Sequence, residues 1–173
     1  RMIGIIDFND WELAVTNGAP DQNKRDYAAV AKGPEEILFS EDALALCRIN
    51  PQLVNTQYLR KLSADPLSNP VNDAKNYADL IFHHLRRVKE KSGISKCVMV
   101  VSEHYTDQQL GLLAGIAEAA DLEVLSFFNN ALRVGPKQHM DFEFLDIGLS
   151  HACTTSVVSR ERKLTTTDCQ ILE

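Results

Sequence analysis

The fold of this chain is decided by residues 97–128, which read CVMVVSEHYTDQQLGLLAGIAEAADLEVLSFF. The continuous apolar run at 97–101 is typical of a strand that is buried on both faces of a sheet. Thr106 is placed to cap a helix over residues 107–120, and a second buried strand is expected at 122–128. This order of strand, helix and strand predicts a right-handed βαβ unit with parallel pairing.

The segments on either side of this unit add further strands and helices. Apolar runs and turn residues predict strands at 2–8, 13–15, 27–31, 36–39, 141–147, 153–158 and 164–167, and helices at 41–48 and 73–92. Asn9 and Asp10 are expected to form the first hairpin turn and Gly148 the last, and the polar run 21–26 is expected in solvent. The chain therefore predicts an α/β fold in which helices flank a mixed β-sheet.

The helix expected at 73–92 is amphipathic. Its apolar stripe consists of Tyr77, Leu80, Ile81, His84, Leu85 and Val88, and Gly93 follows at a C-cap position. The place of His84 in this stripe favours a core histidine over a metal ligand. Its basic residues, Arg86, Arg87, Lys89 and Lys91, are expected to face solvent. In the other helices, we expect Ser40 to be an N-cap and Gly111 and Gly115 to allow close approach to the sheet.

Composition limits the classes of function. The 173 residues include 18 lysines and arginines against 24 aspartates and glutamates, a net charge of −6. This balance argues against a general nucleic-acid or anionic-membrane binder, because both need a basic surface. No apolar stretch approaches the roughly 20 residues of a membrane-spanning helix, and no signal peptide is recognisable. The four cysteines are far apart, which is typical of reduced thiols in a cytoplasmic protein.

Four segments together resemble a known family. They are the opening strand with Asp7 near its end, LFSEDA at 38–43 with NP at 50–51 and NT at 55–56, residues 98–125, and FLDIG at 144–148. In this order they are similar to the nucleotide-binding domain of the 70-kDa heat-shock chaperones, in the actin-like ATPase superfamily. The resemblance implies an actin-like ATPase (ribonuclease H-like) lobe. Residues 1–173 would form a single lobe, the first half of a longer two-lobe protein that holds ATP and magnesium between its lobes.

The resemblance also implies a nucleotide site in two phosphate loops. The positions that match the family's cofactor-binding residues are Asp7, Asn9, Asp10, Lys61, Asp146 and Gly148. Asp7 and Asp146 would hold the magnesium ion. Lys61 would contact the phosphates, and Arg60 would take that place if the correspondence is displaced by one position.

Both phosphate loops depart from the family's pattern. Asp7 is followed by Phe-Asn-Asp-Trp where the family has Leu-Gly-Thr-Thr. In the second loop one glycine of three remains, and Cys153 replaces an aspartate. After the βαβ unit, Asn130 replaces the carboxylate that the family has near the metal. Phosphate loops need their glycines because backbone N–H groups approach the ligand closely there. We therefore expect no catalytic residue, weak or absent binding of ATP and magnesium, and weakened or lost hydrolysis.

Two functions of different classes follow from the resemblance. One is a chaperone-like ATP switch, and the alternative is a non-catalytic actin-like scaffold for assembly of a protein complex, such as division or pilus machinery. A sugar or small-metabolite kinase is a weaker third hypothesis. The first two imply a protein partner and neither nucleic acid nor membrane. The cleft face of a single lobe predicts a homodimer, and Trp11 at a hairpin tip is typical of a contact surface.

Overall fold

The computed structural model describes residues 3–16, 24–133, 141–147, 152–160 and 163–172. These residues form a mixed α/β structure with four β-sheets and three α-helices. The strands are β1 (Ile3–Phe8), β2 (Glu12–Thr16), β3 (Lys24–Tyr27), β4 (Val30–Lys32), β5 (Ile37–Phe39), β6 (Val54–Asn55), β7 (Pro66–Val71), β8 (Ala74–Asn76), β9 (Lys96–Val101), β10 (Glu123–Asn129), β11 (Phe142–Ile147), β12 (Ala152–Arg160) and β13 (Lys163–Leu172). The helices are α1 (Ser40–Cys47), α2 (Tyr77–Ser92) and α3 (Asp107–Ala119), with 3-10 turns at Pro51–Leu53 and Asn130–Arg133. No helix in the described part of the chain is long and apolar enough to cross a membrane.

A five-stranded sheet in the order β10-β9-β1-β2-β3 forms the centre of the structure. β1, β2 and β3 form an antiparallel meander, whereas β9 pairs in parallel with β1 on one side and with β10 on the other. Because α3 connects β9 to β10, the predicted βαβ unit is confirmed. Asp7 lies level with Val100, and Phe8 with Val101, so the carboxyl ends of β1 and β9 are side by side.

One face of this sheet carries the hydrophobic core. Ile6, Phe8 and Met99 are fully buried there in one cluster with apolar residues of α2 and α3. On the opposite face, Ile5 is 47% exposed and Phe128 is 41% exposed. The prediction that the second strand of the βαβ unit is buried on both faces is therefore wrong. β10 lies at the edge of the sheet, and the described residues leave one of its faces open to solvent.

The helix α3 begins as predicted but packs differently. Thr106 and Gln109 form a capping box, in which the Thr106 hydroxyl accepts a hydrogen bond from the Gln109 backbone at 3.2 Å. Gly111 and Gly115 do not mediate close packing, because a side-chain carbon at either position would have no neighbour within 4 Å. The buried side of α3 consists instead of Leu113, Ile116 and Ala117.

The amphipathic helix α2 confirms the predicted stripe and its C-terminal cap. The buried residues are Leu80, Ile81, His84, Leu85 and Val88. Gly93 ends the helix with a φ of 72°, a left-handed conformation that favours glycine. The helix begins four residues later than expected, at Tyr77, because the preceding residues form the hairpin of β7 and β8. Asn76 caps this start in a capping box with Asp79.

The polar run at 21–26 contains a structural residue that the sequence did not indicate. Lys24–Tyr27 is strand β3, and Asp26 is buried beneath α2. Its carboxylate lies 3.1 Å from Arg87 Nε and 3.2 Å from Lys91 Nζ. The expectation that these two basic residues only face solvent is therefore wrong. Each pairs with the Asp26 carboxylate, which strand β3 places against α2.

His84 completes this buried cluster. Its Nδ1 is 2.5 Å from the Tyr58 hydroxyl, and its Nε2 is 3.6 Å from Asp26 Oδ2. The carboxylate can only accept, so the geometry favours a proton on Nε2 and a hydrogen bond donated by Tyr58 to Nδ1. Burial lowers the pKa of His84, and Asp26 opposes that change. His84 is thus a core histidine, as predicted.

Two expectations between residues 27 and 40 need correction. The strand expected at 27–31 is divided, because β3 ends at Tyr27 and β4 belongs to a separate sheet with β5 and β6. Ser40 is not an N-cap, since α1 begins at Ser40 itself and Phe39 is the capping position. The Ser40 hydroxyl instead accepts a hydrogen bond from the Tyr27 backbone at 2.9 Å. It thereby ties the start of α1 to the end of β3.

The third sheet contains β11, β12 and β13 in antiparallel order. The predicted hairpin of β11 and β12 is confirmed, with Asp146 paired to Cys153. The last strand is longer than the expected 164–167, since β13 spans Lys163–Leu172. Gly148, which was expected in the hairpin turn, lies outside the described residues.

Candidate functional site

Asp7 lies near the carboxyl end of β1 and already has a cationic partner. Its Oδ2 is 2.5 Å from Nη1 of Arg133, which ends the 3-10 turn after β10. Its Oδ1 accepts a longer hydrogen bond from the Asn9 side chain at 3.4 Å. Arg133 also donates to the Asn130 side chain at 3.4 Å. A guanidinium group, rather than an open coordination position, therefore faces this carboxylate.

Asn9 and Asp10 lie in the hairpin turn, as predicted, and the Asn9 side chain stabilises it. The Asn9 side-chain oxygen accepts hydrogen bonds from the backbone of Trp11 at 3.1 Å and of Glu12 at 2.9 Å. Asp10 is only 1% exposed, so its side chain does not present an open face to a ligand. Trp11 stacks on Tyr27, with ring centroids 6.4 Å apart. The tip of this hairpin is thus packed against β3.

Glu12 is a second buried carboxylate of this hairpin, and sequence reasoning missed it. Its Oε2 lies 3.9 Å from Nε of Arg25 and has no hydrogen-bond partner among the described residues. Burial raises the pKa of the Glu12 carboxyl, and the nearby Asp7 adds to that rise while Arg25 opposes it. The alternation of β2 could not have indicated this burial, because it places Glu12 on the face opposite to the core residues Leu13 and Val15.

Asp146 lies on β11, and the fold brings it to the end of β9. Its Oδ2 accepts a 2.6 Å hydrogen bond from the hydroxyl of Ser102, the residue directly after β9. The same hydroxyl is 3.7 Å from Cys153 Sγ. Burial raises the pKa of Cys153 to about 11, so this thiol is protonated at neutral pH. The place of Ser102 directly after a buried strand could have indicated a site residue.

Asp7 and Asp146 occupy corresponding positions in two similar units. β1 and β11 each have six residues with aspartate at the fifth, and each is the first strand of an antiparallel three-stranded meander. Asp7 is at the carboxyl end of β1, and Ser102 holds Asp146 at the carboxyl end of the adjacent β9. The two predicted magnesium ligands therefore approach the same edge of the central sheet.

The two candidates for the phosphate-binding cation, Lys61 and Arg60, have different neighbours. Lys61 Nζ lies 5.6 Å from the centre of the Tyr77 ring, and no ion pair joins it to Asp7 or Asp146 among the described residues. Arg60 acts electrostatically on the buried Tyr105. Burial raises the pKa of the Tyr105 hydroxyl, Asp10 and Asp146 add to that rise, and Arg60 opposes it. Arg60, the alternative, thus acts on the same tyrosine as Asp10 and Asp146, whereas the known contact of Lys61 is with Tyr77.

The residues present do not fit a magnesium ion well. Arg133 already neutralises Asp7, and Ser102 donates to the carboxylate oxygen of Asp146. In the described part of the chain, no group of three or more His, Cys, Asp or Glu side chains could hold a metal ion. Of the six predicted cofactor-binding residues, Gly148 lies outside the described residues.

Comparison of the sequence with protein-family models and with curated proteins found no relative. No protein-family model matches the chain, and no curated protein matches its sequence. The functional conclusion therefore depends on the residues and contacts given above.

Proposed function

We propose that this chain is an actin-like (ribonuclease H-like) unit similar to the nucleotide-binding domain of heat-shock 70 chaperones, and that it serves as a non-catalytic scaffold for protein assembly. The order of the central sheet supports the first part. Three antiparallel strands form a meander, and two further strands lie parallel to the first on its other side. The aspartate that recurs near the end of β1 and β11 also supports it, because two such strands carry the family's phosphate loops.

The ion pair of Arg133 with Asp7 is the observation that carries the functional part. A magnesium–nucleotide site needs carboxylate oxygens free to hold the metal or its waters. Here the guanidinium supplies the positive charge that the metal would bring, and it does so without a ligand. A triphosphate with its magnesium ion would have to displace this arginine. In this proposal the fold serves contacts with other proteins, and the four free cysteines support a reducing, cytoplasmic location.

Calorimetric titration of ATP with magnesium tests this function. We expect the unmodified protein to bind with a dissociation constant weaker than about 1 mM, a binding free energy below about 4 kcal/mol. Arg133→Ala frees the Asp7 carboxylate and should tighten that binding measurably. Arg86→Ala is the matched control, because Arg86 pairs with the exposed Glu90 on α2. Unchanged affinity in Arg133→Ala would disprove the role assigned to the ion pair.

The chaperone-like ATP switch is the second candidate, and one observation favours it. Ligands of open α/β sheets bind outside the carboxyl ends of parallel strands, which is where Asp7 and Asp146 lie. The same titration separates the two functions. A submillimolar affinity that falls at least about tenfold in Asp7→Ala corresponds to a loss of about 1.4 kcal/mol. This result would support the switch and exclude a scaffold that binds no nucleotide.

A further inference from the structure

A groove on another part of the molecule combines two cations with exposed apolar surface. It has a volume of about 690 Å³ and is lined by residues 52–57 and 67–71 together with Lys32, Lys61 and Tyr77. Leu53, in this lining, is 60% exposed, so the groove includes apolar surface as well as the two lysines. The volume is within the range of ordinary ligand pockets.

Two strand edges border this groove. β6 is the outer strand of the sheet β5-β4-β6, and among the described residues it pairs with β4 alone. In the same part of the chain, β7 pairs with β8 alone, in a two-stranded sheet. Residues of both strands line the groove. Strand edges present backbone N–H and C=O groups, which an extended segment of another chain can pair with.

The charge of the groove is opposite to that of the protein. The chain as a whole carries a net charge of −6. None of the described residues that line the groove has a carboxylate, whereas Lys32 and Lys61 are both exposed in it. The Lys61 ammonium lies over the ring of Tyr77 at 5.6 Å, which fixes its charge beside the groove. The groove therefore complements a negatively charged ligand.

We propose that this groove binds an extended acidic peptide segment of a partner protein by strand addition. The backbone of the segment pairs with the edge of β6 or β7. Its acidic side chains contact Lys32 and Lys61, and an apolar side chain covers Leu53. This binding requires neither ATP nor the pair of Arg133 with Asp7, so failure of the proposed function leaves it intact.

Fluorescence anisotropy with synthetic peptides tests the proposal. The probe is a fluorescein-labelled peptide of about seven residues in which glutamate alternates with valine, about 23 Å long when extended. We expect it to bind the protein, and the lysine–valine counterpart not to bind. The double variant Lys32→Ala/Lys61→Ala should weaken binding at least about tenfold, since two charge contacts are lost. Lys75→Ala is the matched control, because Lys75 is exposed on β8 but does not line the groove.

Hydrogen exchange and a modified backbone distinguish strand addition from simple charge attraction. On binding, amide exchange should slow at residues 53–57 or at 67–69. A peptide with N-methyl groups at alternate residues keeps its charges but loses backbone donors, and it should bind much more weakly. Three results would overturn the proposal: no binding of the acidic peptide, an equal loss in Lys75→Ala, or undiminished binding of the N-methylated peptide.

Discussion

Asp26 is a charged residue whose role is structural. Burial alone would raise the pKa of its carboxyl, but contacts with His84, Lys91 and Arg87 outweigh burial and hold that pKa well below its usual range. Asp26→Asn removes the charge and keeps the shape. We expect the free energy of unfolding to fall by about 3 kcal/mol at pH 7, because the change removes the buried negative charge that pairs with Arg87 and Lys91. Urea denaturation measures this loss.

The control and the pH dependence make this prediction specific. Asp121→Asn removes an exposed pair with Lys89, and it should change stability by less than about 0.5 kcal/mol. Since the folded-state pKa of Asp26 lies below the unfolded value, its stabilisation is complete above the unfolded pKa, about 4. It should decline as the pH falls toward the folded pKa. A difference between wild type and Asp26→Asn that persists unchanged at pH 2 would contradict the account.

Single residues were also the hardest features to predict from the sequence. Asp26 occurs in a run of polar residues, and nothing local to that run indicates that Arg87 and Lys91 lie 61 and 65 positions away in contact with it. The pairing is a consequence of tertiary structure. His84 was predictable because its position in a helical stripe is a local property. Likewise, the pairing of Asp7 with Arg133 spans 126 positions and lies beyond any local pattern.

At the level of elements, helix α2 depends on a cap supplied by Asn76, the last residue of the β7–β8 hairpin. Asn76 accepts a 2.8 Å hydrogen bond from the Asp79 backbone, and the Asp79 carboxylate accepts one from Asn76 at 3.3 Å. Asn76→Ala should lower the free energy of unfolding by about 1 kcal/mol, because a half-buried helix start loses its side-chain acceptor. Thermal or urea unfolding checks this value.

A second asparagine provides the control for the cap. Asn50 precedes the 3-10 turn Pro51–Leu53, and its side chain makes no capping hydrogen bond. Asn50→Ala should therefore stay within about 0.5 kcal/mol of wild type. Equal losses in the two variants would mean that the effect arises from asparagine itself and not from the capping box.

Elements with a strong internal period were predicted well, and those that depend on distant partners were not. α3 and β9 follow local sequence patterns and lie within about one residue of their predicted bounds, and α2 has the predicted stripe and C-terminal end. The hairpin of β7 and β8 was missed because Pro66 and Pro70 interrupt the strand pattern, and proline is tolerated only at edges. β3 was missed because its polar residues find their partners on α2 and β2.

At the level of the whole molecule, the central sheet and the third sheet repeat one arrangement. The first strand of each meander has an aspartate at its fifth of six positions, and the two sheets meet where Asp146 contacts Ser102. A second hydrogen bond, from Thr166 to Glu103 at 3.4 Å, lies beside it. Ser102 and Glu103, in the loop after β9, thus bond to the third sheet, which also contacts the 3-10 turn Asn130–Arg133. Whether that attachment depends on Ser102 can be measured directly.

Ser102→Ala removes the hydroxyl that donates a hydrogen bond to the Asp146 carboxylate. We expect the loss of about 1–2 kcal/mol that accompanies a deleted hydrogen bond to a charged group. Hydrogen exchange in β11 and β12 should then accelerate by about tenfold, which corresponds to about 1.4 kcal/mol, while β1 and β9 stay protected by the core. Ser156→Ala is the matched control, because Ser156 donates to the exposed Glu143 within the third sheet at 2.7 Å. If exchange accelerates equally in β1, or does not change in β11, the third sheet is held by contacts other than Ser102.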